Sequence, residues 1–119
     1  GEFISAIDDY NKAIELDKTD ANLLNYRGVA YYNISEFDKA IADYDAAIKL
    51  DSKDPLKYEN RALSKSAKED YKGALEDYNK AIELFDEDPE TFNLRGVIKY
   101  TLDDNDGAIA DYDQAIALD

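Results

Sequence analysis

Cysteine, histidine, methionine and tryptophan are all missing from these 119 residues, and proline and glycine are scarce, at 2 and 5. Without cysteine there is no disulfide framework, no thiolate nucleophile and no zinc–sulfur centre, and a reducing, cytoplasmic setting is expected. Without histidine or cysteine, the scattered carboxylates and Ser35, Ser52, Ser64 and Ser66 make no nucleophile–base–orienter set. No glycine loop is patterned to cradle phosphate, so neither catalysis nor a cofactor is expected. Runs of about 18 apolar residues are also lacking, and no signal-peptide pattern is present. The lack of methionine implies that the native start of the chain is missing. Cations are the last deficit: 14 Lys+Arg stand against 28 Asp+Glu, a formal charge of −14. That balance argues against a nucleic-acid backbone or an anionic membrane as partner, since both need a basic surface. It steers a basic protein or peptide inward, although most of the charge reads as a solvating surface.

What the chain does have is repetition. Tyr10, Tyr44, Tyr78 and Tyr112 stand 34 residues apart, and the same step runs through Ala6/Ala40/Ala74/Ala108 and Ala13/Ala47/Ala81/Ala115. It also runs through Ile14/Ile48/Ile82/Ile116 and Leu16/Leu50/Leu84/Leu118. A fixed period of this size denotes stacked units, none of which encloses its apolar stripe alone. Asp20, Asp54 and Asp88 are placed to accept from the free backbone N–H groups of a helix start, and Pro55 and Pro89 follow at the first turn. First helices are therefore predicted near Ala21–Ile34, Pro55–Ala67 and Pro89–Leu102. Second helices are predicted near Glu36–Leu50, Asp70–Leu84 and Asn105–Leu118. Ahead of these, Ile4, Ile7, Tyr10, Ala13 and Ile14 recur at helical spacing and predict one orphan second helix. Gly1-Glu2-Phe3 occupies the columns of Ser35-Glu36-Phe37, which favours native sequence over a cloning remnant.

Gly28/Ala62/Gly96, Phe37/Tyr71, the paired alanine columns and the Ala-Ile-x-Leu endings together make the chain resemble the tetratricopeptide repeat family over essentially its full length. The resemblance implies an all-α, right-handed α-solenoid of antiparallel helix pairs, seven helices in all. Residues 1–20 would be the second helix of a truncated repeat, followed by repeats at 21–54, 55–88 and 89–119. The small residues Gly28, Ala62 and Gly96 are expected to face Ala40, Ala74 and Ala108 at a close helix crossing. The middle repeat has Ser64 and Lys65 where the first has Ala30 and Tyr31, and Lys99 repeats the lysine. Asn105 replaces the Phe37/Tyr71 aromatic. Weaker packing is expected there.

The resemblance also implies a concave groove lined by the first helices that holds an extended peptide or a helix of a partner. Its lining would be Asn22, Asn25, Val29 and Tyr32, then Leu56, Glu59, Leu63 and Ser66, then Glu90, Asn93, Val97 and Tyr100, each set stepping along one helical stripe. Asparagine serves a peptide backbone as donor and acceptor, and valine or leucine beside it offers pockets. Some relatives clamp acidic chaperone tails with lysine, asparagine and arginine. Here Asn60 matches the asparagine, but Asn25, Val29, Glu90 and Leu94 occupy the other columns, so that specificity is not expected. The asparagine ladder of the glycosyltransferase superhelix is represented by Asn60 alone, against Tyr26 and Leu94. The rival role is a structural spacer or self-assembling segment of a longer superhelix, with homo-oligomers forming through exposed repeat ends.

Two charged columns remain. Arg27, Arg61 and Arg95 lie on an otherwise apolar face, and Asp9, Asp43, Asp77 and Asp111 recur on the second helices. The arginines could grip a ligand carboxylate, but their joint recurrence with the aspartates favours a structural Arg–Asp ladder. Helical spacing alone leaves open whether each arginine meets the aspartate of its own hairpin or of the preceding one. Asp103-Asp104-Asn105-Asp106-Gly107 lacks the alternation and distal glutamate of a calcium loop and reads as a capped turn, so no metal is assigned.

Overall fold

Aspartates decide where the helices begin. In the computed structural model, which describes residues 1–119, Asp20 Oδ1 accepts from the N–H groups of Asn22 at 2.9 Å and Leu23 at 3.3 Å. Asp54 accepts from Leu56 N and Asp88 from Glu90 N, both at 3.0 Å. These caps satisfy donors that a helix start leaves unpaired. Seven helices result: α1 (Glu2–Leu16), α2 (Ala21–Asn33), α3 (Phe37–Leu50), α4 (Pro55–Ala67), α5 (Tyr71–Leu84), α6 (Pro89–Thr101) and α7 (Asn105–Leu118). There is no strand, and no helix is long and apolar enough to cross a membrane.

The turns inside the hairpins share one device. Ser35, Glu69 and Asp103 adopt left-handed backbone at φ of 63, 64 and 65°. Each is flanked by the paired bonds of a Schellman ending, as in Ser35 N to Tyr32 O at 3.0 Å and Glu36 N to Tyr31 O at 2.9 Å. The start of the second helix differs between repeats. Asp70 and Asp104 cap α5 and α7 by accepting from Gly73 N and Gly107 N at 3.0 Å, whereas Glu36 makes no side-chain cap for α3. A Cβ on Gly73 or Gly107 would collide with the capping carboxylate, and with Glu36 uncapped, Lys39 occupies that column.

Each helix packs on its sequence neighbours, and beyond these α2 also meets α4. The second helices α3 and α5 make no comparable contact, so the first helices lie on the inside of the curve. The assembly measures 47 × 24 × 22 Å with a radius of gyration of 15.1 Å. A sphere-like fold of this length would have about 13.5 Å, so the array is elongated. It is an all-α solenoid of stacked helix pairs.

The small-residue column has a different partner from the one expected. A Cβ on Gly28 would lie 2.6 Å from Tyr44 Cε1, and one on Gly96 would lie 2.7 Å from Tyr112 Cε1. The glycines therefore make room for the tyrosine ring of the same hairpin rather than for Ala40 or Ala108. Tyr44 and Tyr78 are each 1% exposed, and burial pushes both phenols above their ordinary range. The tyrosines that mark the period are thus the pegs on which the hairpins close. Ala62, Ala74, Tyr78 and Ile98 form one cluster spanning the second and third hairpins, with Leu75, Leu94 and Leu102 against it.

Candidate partner-binding surfaces

Every arginine of the ladder serves its own hairpin. Arg27 donates from Nε to Asp43 Oδ2 at 2.8 Å and from Nη2 to Oδ1 at 2.6 Å. Arg61 holds Asp77 at 2.9 and 2.7 Å, and Arg95 holds Asp111 at 2.8 and 2.7 Å, in the same two-pronged way. The remaining Nη1 reaches back to the preceding second helix: Arg27 to Asn11 at 2.9 Å, Arg61 to Asp45 at 2.9 Å and Arg95 to Asn79 at 3.0 Å. One guanidinium therefore ties three successive helices, a geometry to which its planar fork is suited. Asn11, Asp45 and Asn79 were not recognised as partners in the sequence, although they too recur every 34 residues. Asp9 is the exception to the ladder. It is exposed and unbonded, because Arg27 forks onto Asp43 of its own hairpin and its remaining nitrogen reaches α1 at Asn11 rather than at Asp9.

The two lysines that interrupt the apolar column join this ladder. Lys65 Nζ lies 3.1 Å from Asp77 and Lys99 Nζ lies 3.1 Å from Asp111. Burial works against ionisation of Asp111, but bonds from Arg95 and Lys99, with their charges, outweigh it and hold the carboxyl below its usual range. The bonds that Arg27 and Arg61 donate to Asp43 and Asp77 raise both guanidiniums in turn. In the first hairpin Tyr31 fills the lysine position, and Arg27 lies 5.9 Å from its ring centre. The lysines are thus engaged in packing. Weaker packing of the middle repeat is not seen: the buried cluster of Ala62, Ala74, Tyr78 and Ile98 is centred there, although the Ser64 hydroxyl is buried near Tyr44 without a well-formed hydrogen bond.

Along the inner stripe the twelve expected lining residues divide into two groups. Three are occupied in seams between hairpins. Asn22 Oδ1 accepts from Lys57 Nζ at 3.2 Å, Asn25 Oδ1 accepts from Asn60 Nδ2 at 3.2 Å, and Glu59 accepts from the Thr91 hydroxyl. Asn25 is buried outright, so it is not a surface contact. Lys57 is 1% exposed, with Asp54 at 2.7 Å and Asp51 at 3.6 Å as counter-charges. Lys57 and Thr91 were missed in the sequence, although each follows its capping aspartate by three residues and bonds to that aspartate's second oxygen. Burial raises the Glu59 carboxyl, Asp88, Glu90 and Asp54 raise it further, and the Thr91 bond opposes them.

The second group stays open to solvent to different degrees. Val29 and Leu63 are half-buried, as is Ser66, whose hydroxyl is itself buried and offers no surface contact, and Tyr32 is half-buried against Phe37 with ring centres 5.5 Å apart. Leu56 is exposed, as are Glu90, Asn93, Val97 and Tyr100 on α6. The freest face is therefore that of the third hairpin. Its net charge is negative, because Glu90 is the one charged group among these exposed α6 residues.

Two open clefts lie at the ends of the array. One, of about 230 Å³, is between α1 and α2 and is lined by Glu2, Phe3, Ala6, Tyr10, Tyr26, Val29 and Ala30. The other, of about 260 Å³, is between α6 and α7 and is lined by Pro89, Glu90, Asn93, Ala115, Ile116 and Asp119.

Family models described as Tetratricopeptide repeat match residues 21–54 and 60–119, and a model described as TPR repeat matches residues 1–35. No curated protein matches the sequence. Among solved structures, that of MamA superposes with a TM-score of 0.94 over 99% of this chain and 69% of its own, at 22% identity, a likeness of fold. YrrB, a TPR protein with an unusual peptide-binding site, gives 0.85 at 28% identity, covering 92% of this chain. The first TPR of Spaghetti (RPAP3), bound to the HSP90 peptide SRMEEVD, gives 0.82 at 25% identity, covering 87% of this chain and 82% of that one. The chain spans 57% of the length of YrrB.

Proposed function

The chain belongs to the tetratricopeptide repeat family, and from that membership we propose that it is a non-catalytic protein-interaction module. Its inner face would hold an extended peptide or a helix of a partner. The observation that carries this reading is the α6 stripe, where Val97 is 50% and Tyr100 is 65% exposed beside Glu90 and Asn93. Large apolar side chains next to polar hydrogen-bonding groups are the usual make-up of a peptide groove. Leu56 and Leu63 continue the apolar path onto α4. The likeness to YrrB and to the peptide-bound Spaghetti domain supports a peptide as ligand class.

The partner would be neutral to basic. Glu59 and Glu90 face this path, and a formal charge of −14 repels an acidic segment and speeds encounter with a cationic one. An acidic tail such as SRMEEVD is disfavoured, since the lysines of α4 that could meet it are held by Asp54, Asp51 and Asp77.

Selection from a random peptide library, followed by chemical-shift mapping, tests the proposal. Enriched peptides should carry Lys or Arg beside apolar residues and perturb Leu56, Leu63, Val97 and Tyr100. Tyr100→Glu should then weaken binding by about tenfold, the scale of one buried aromatic anchor. Selected peptides that were acidic, or that mapped to α3 and α5, would overturn it. A second reading, self-association through the ends, is favoured by Phe3, Ile4 and Ile116, which are 42, 55 and 74% exposed. Light scattering across a concentration series separates the two readings.

A further inference from the structure

Of the carboxylates withdrawn from solvent, Glu59 alone meets neither a cation nor a backbone N–H. Asp43, Asp77 and Asp111 hold arginines, Asp54 holds Lys57, and Asp20 and Asp88 accept from the N–H groups they cap. Glu59 is half-buried in the seam between α4 and α6, and its one donor is the neutral hydroxyl of Thr91. The charged groups that act on it, Asp88, Glu90 and Asp54, are all of its own sign. The seam between α2 and α4 is built differently. There the buried ammonium of Lys57 reaches Asn22, Asp54 and Asp51, and the same column in α6 is filled by Thr91. A second polar group belongs to the same place. Tyr78 stands between Ala62 of α4 and Ile98 of α6, is 1% exposed, and makes no hydrogen bond through its hydroxyl. Burial raises its phenol, and Glu59, Tyr32, Glu90 and Asp77 raise it further, so the unpartnered oxygen lies in the field of the seam carboxylates.

We propose that Glu59 and the Tyr78 hydroxyl form a subsite on the inner face for one lysine ammonium of a bound peptide. The carboxylate supplies the counter-charge and the phenol oxygen a second acceptor, and the exposed Glu90 adds charge beside them. Arginine fits less well. Its fork takes both oxygens of a carboxylate, and Glu59 Oε1 is already given to Thr91. No three carboxylates converge closely enough to hold a metal ion, so the occupant is an organic cation. Leu56 and Leu63 stand one turn to either side of Glu59 on α4, which sets the lysine between apolar residues of the peptide. A half-buried carboxylate is screened less by salt than the acidic surface, so it selects one position of a peptide where the overall charge only speeds encounter. The inference rests on the groove reading for the peptide that brings the lysine, and all of its own groups come from α4, α5 and α6.

The test titrates the intact chain with N-acetyl-lysine N-methylamide and follows the backbone amides of α4 and α6 by NMR. A saturable shift centred on Glu59 and Thr91 is expected, with the arginine analogue about fivefold weaker. Glu59→Gln, which keeps an acceptor for Thr91, should weaken binding by about tenfold or more. Tyr78→Phe should weaken it by about threefold while leaving the urea midpoint unchanged, because the hydroxyl bonds nothing in the free chain. Thr91→Val frees the second oxygen of Glu59 and should erase the preference for lysine over arginine. A shift that potassium chloride reproduces at equal ionic strength overturns the proposal, as does lysine binding unchanged in Glu59→Gln. Library selection on the native chain and on Glu59→Gln separates this inference from the groove reading. Enriched lysine that disappears in Glu59→Gln, with the apolar positions kept, supports the subsite. Lysine enriched equally on both overturns the subsite and leaves the groove standing. No enriched peptide, with the lysine amide still bound at Glu59, overturns the groove reading and leaves the lysine site standing.

Discussion

The first hairpin, α2–α3, and the third, α6–α7, occupy the same register and meet the same packing demands with different chemistry. In the first, Asp43 is held by Arg27 alone, and Tyr31 flanks the pair. In the third, Asp111 is held by Arg95 and by Lys99, which stands in the column of Tyr31. The second helix of the first hairpin begins without a side-chain cap, with Lys39 in its first turn, whereas that of the third begins on Asp104 with Gly107 beneath it. The substitutions come in linked sets. Exchanging an aromatic for lysine lowers hydropathy without loosening the seam, because a buried carboxylate gains a second counter-charge.

The harshest way to break the likeness is to fill a tyrosine seat. Gly28→Leu would drive a side chain into Tyr44, which is 1% exposed and has nowhere to go, and should cost about 3 kcal/mol or more in a urea melt. Leucine at Gly96 should cost less, because Tyr112 is only half-buried and its ring can yield.

Removing an arginine sharpens the contrast next. Arg27→Met leaves Asp43 buried with no cation in contact and should cost about 3 kcal/mol, whereas Arg95→Met leaves Lys99 on Asp111 and should cost about half as much. Equal losses would show that the lysines contribute nothing. Smaller again is the cap: Asp104→Ala should cost about 1 kcal/mol, and Glu36→Ala close to nothing.

The pH dependence sharpens the third hairpin alone. The Asp111 carboxyl is depressed in the folded state, so its contribution is present above the ordinary value of 3.8 and is lost as pH falls through its lower folded value. The gap in urea midpoint between the native chain and Asp111→Asn should therefore be full at pH 6 and should narrow progressively below pH 3.8. A gap that persisted at the acid end would mean that packing, not charge, carries the effect.

Much of this was legible in the order of residues. Helix limits follow from Asp20, Asp54 and Asp88, and agree with the structure to within a residue or so. The inner stripe was legible as a stripe, but not in its division between seam and surface. Asn22, Asn25 and Glu59 look like free polar groups until their partners, 32 or 35 residues onward, are seen. Their partners stand in columns that change from repeat to repeat, Leu23/Lys57/Thr91 and Tyr26/Asn60/Leu94, so no column comparison exposes them. The glycine column points to the wrong neighbour for a related reason. Smallness shows that something comes close, and only the rotation of α2 against α3 decides that the visitor is Tyr44 rather than Ala40.

On its own, then, the sequence determined the period, the seven helices, their caps and the face each must bury, because all of these depend on contacts three or four residues apart along one helix. The tertiary structure alone decided which aspartate each arginine holds and which asparagines are spent in seams. Those outcomes depend on the offset and rotation between helices, which are set by a tyrosine ring settling against a backbone that has no side chain in its way.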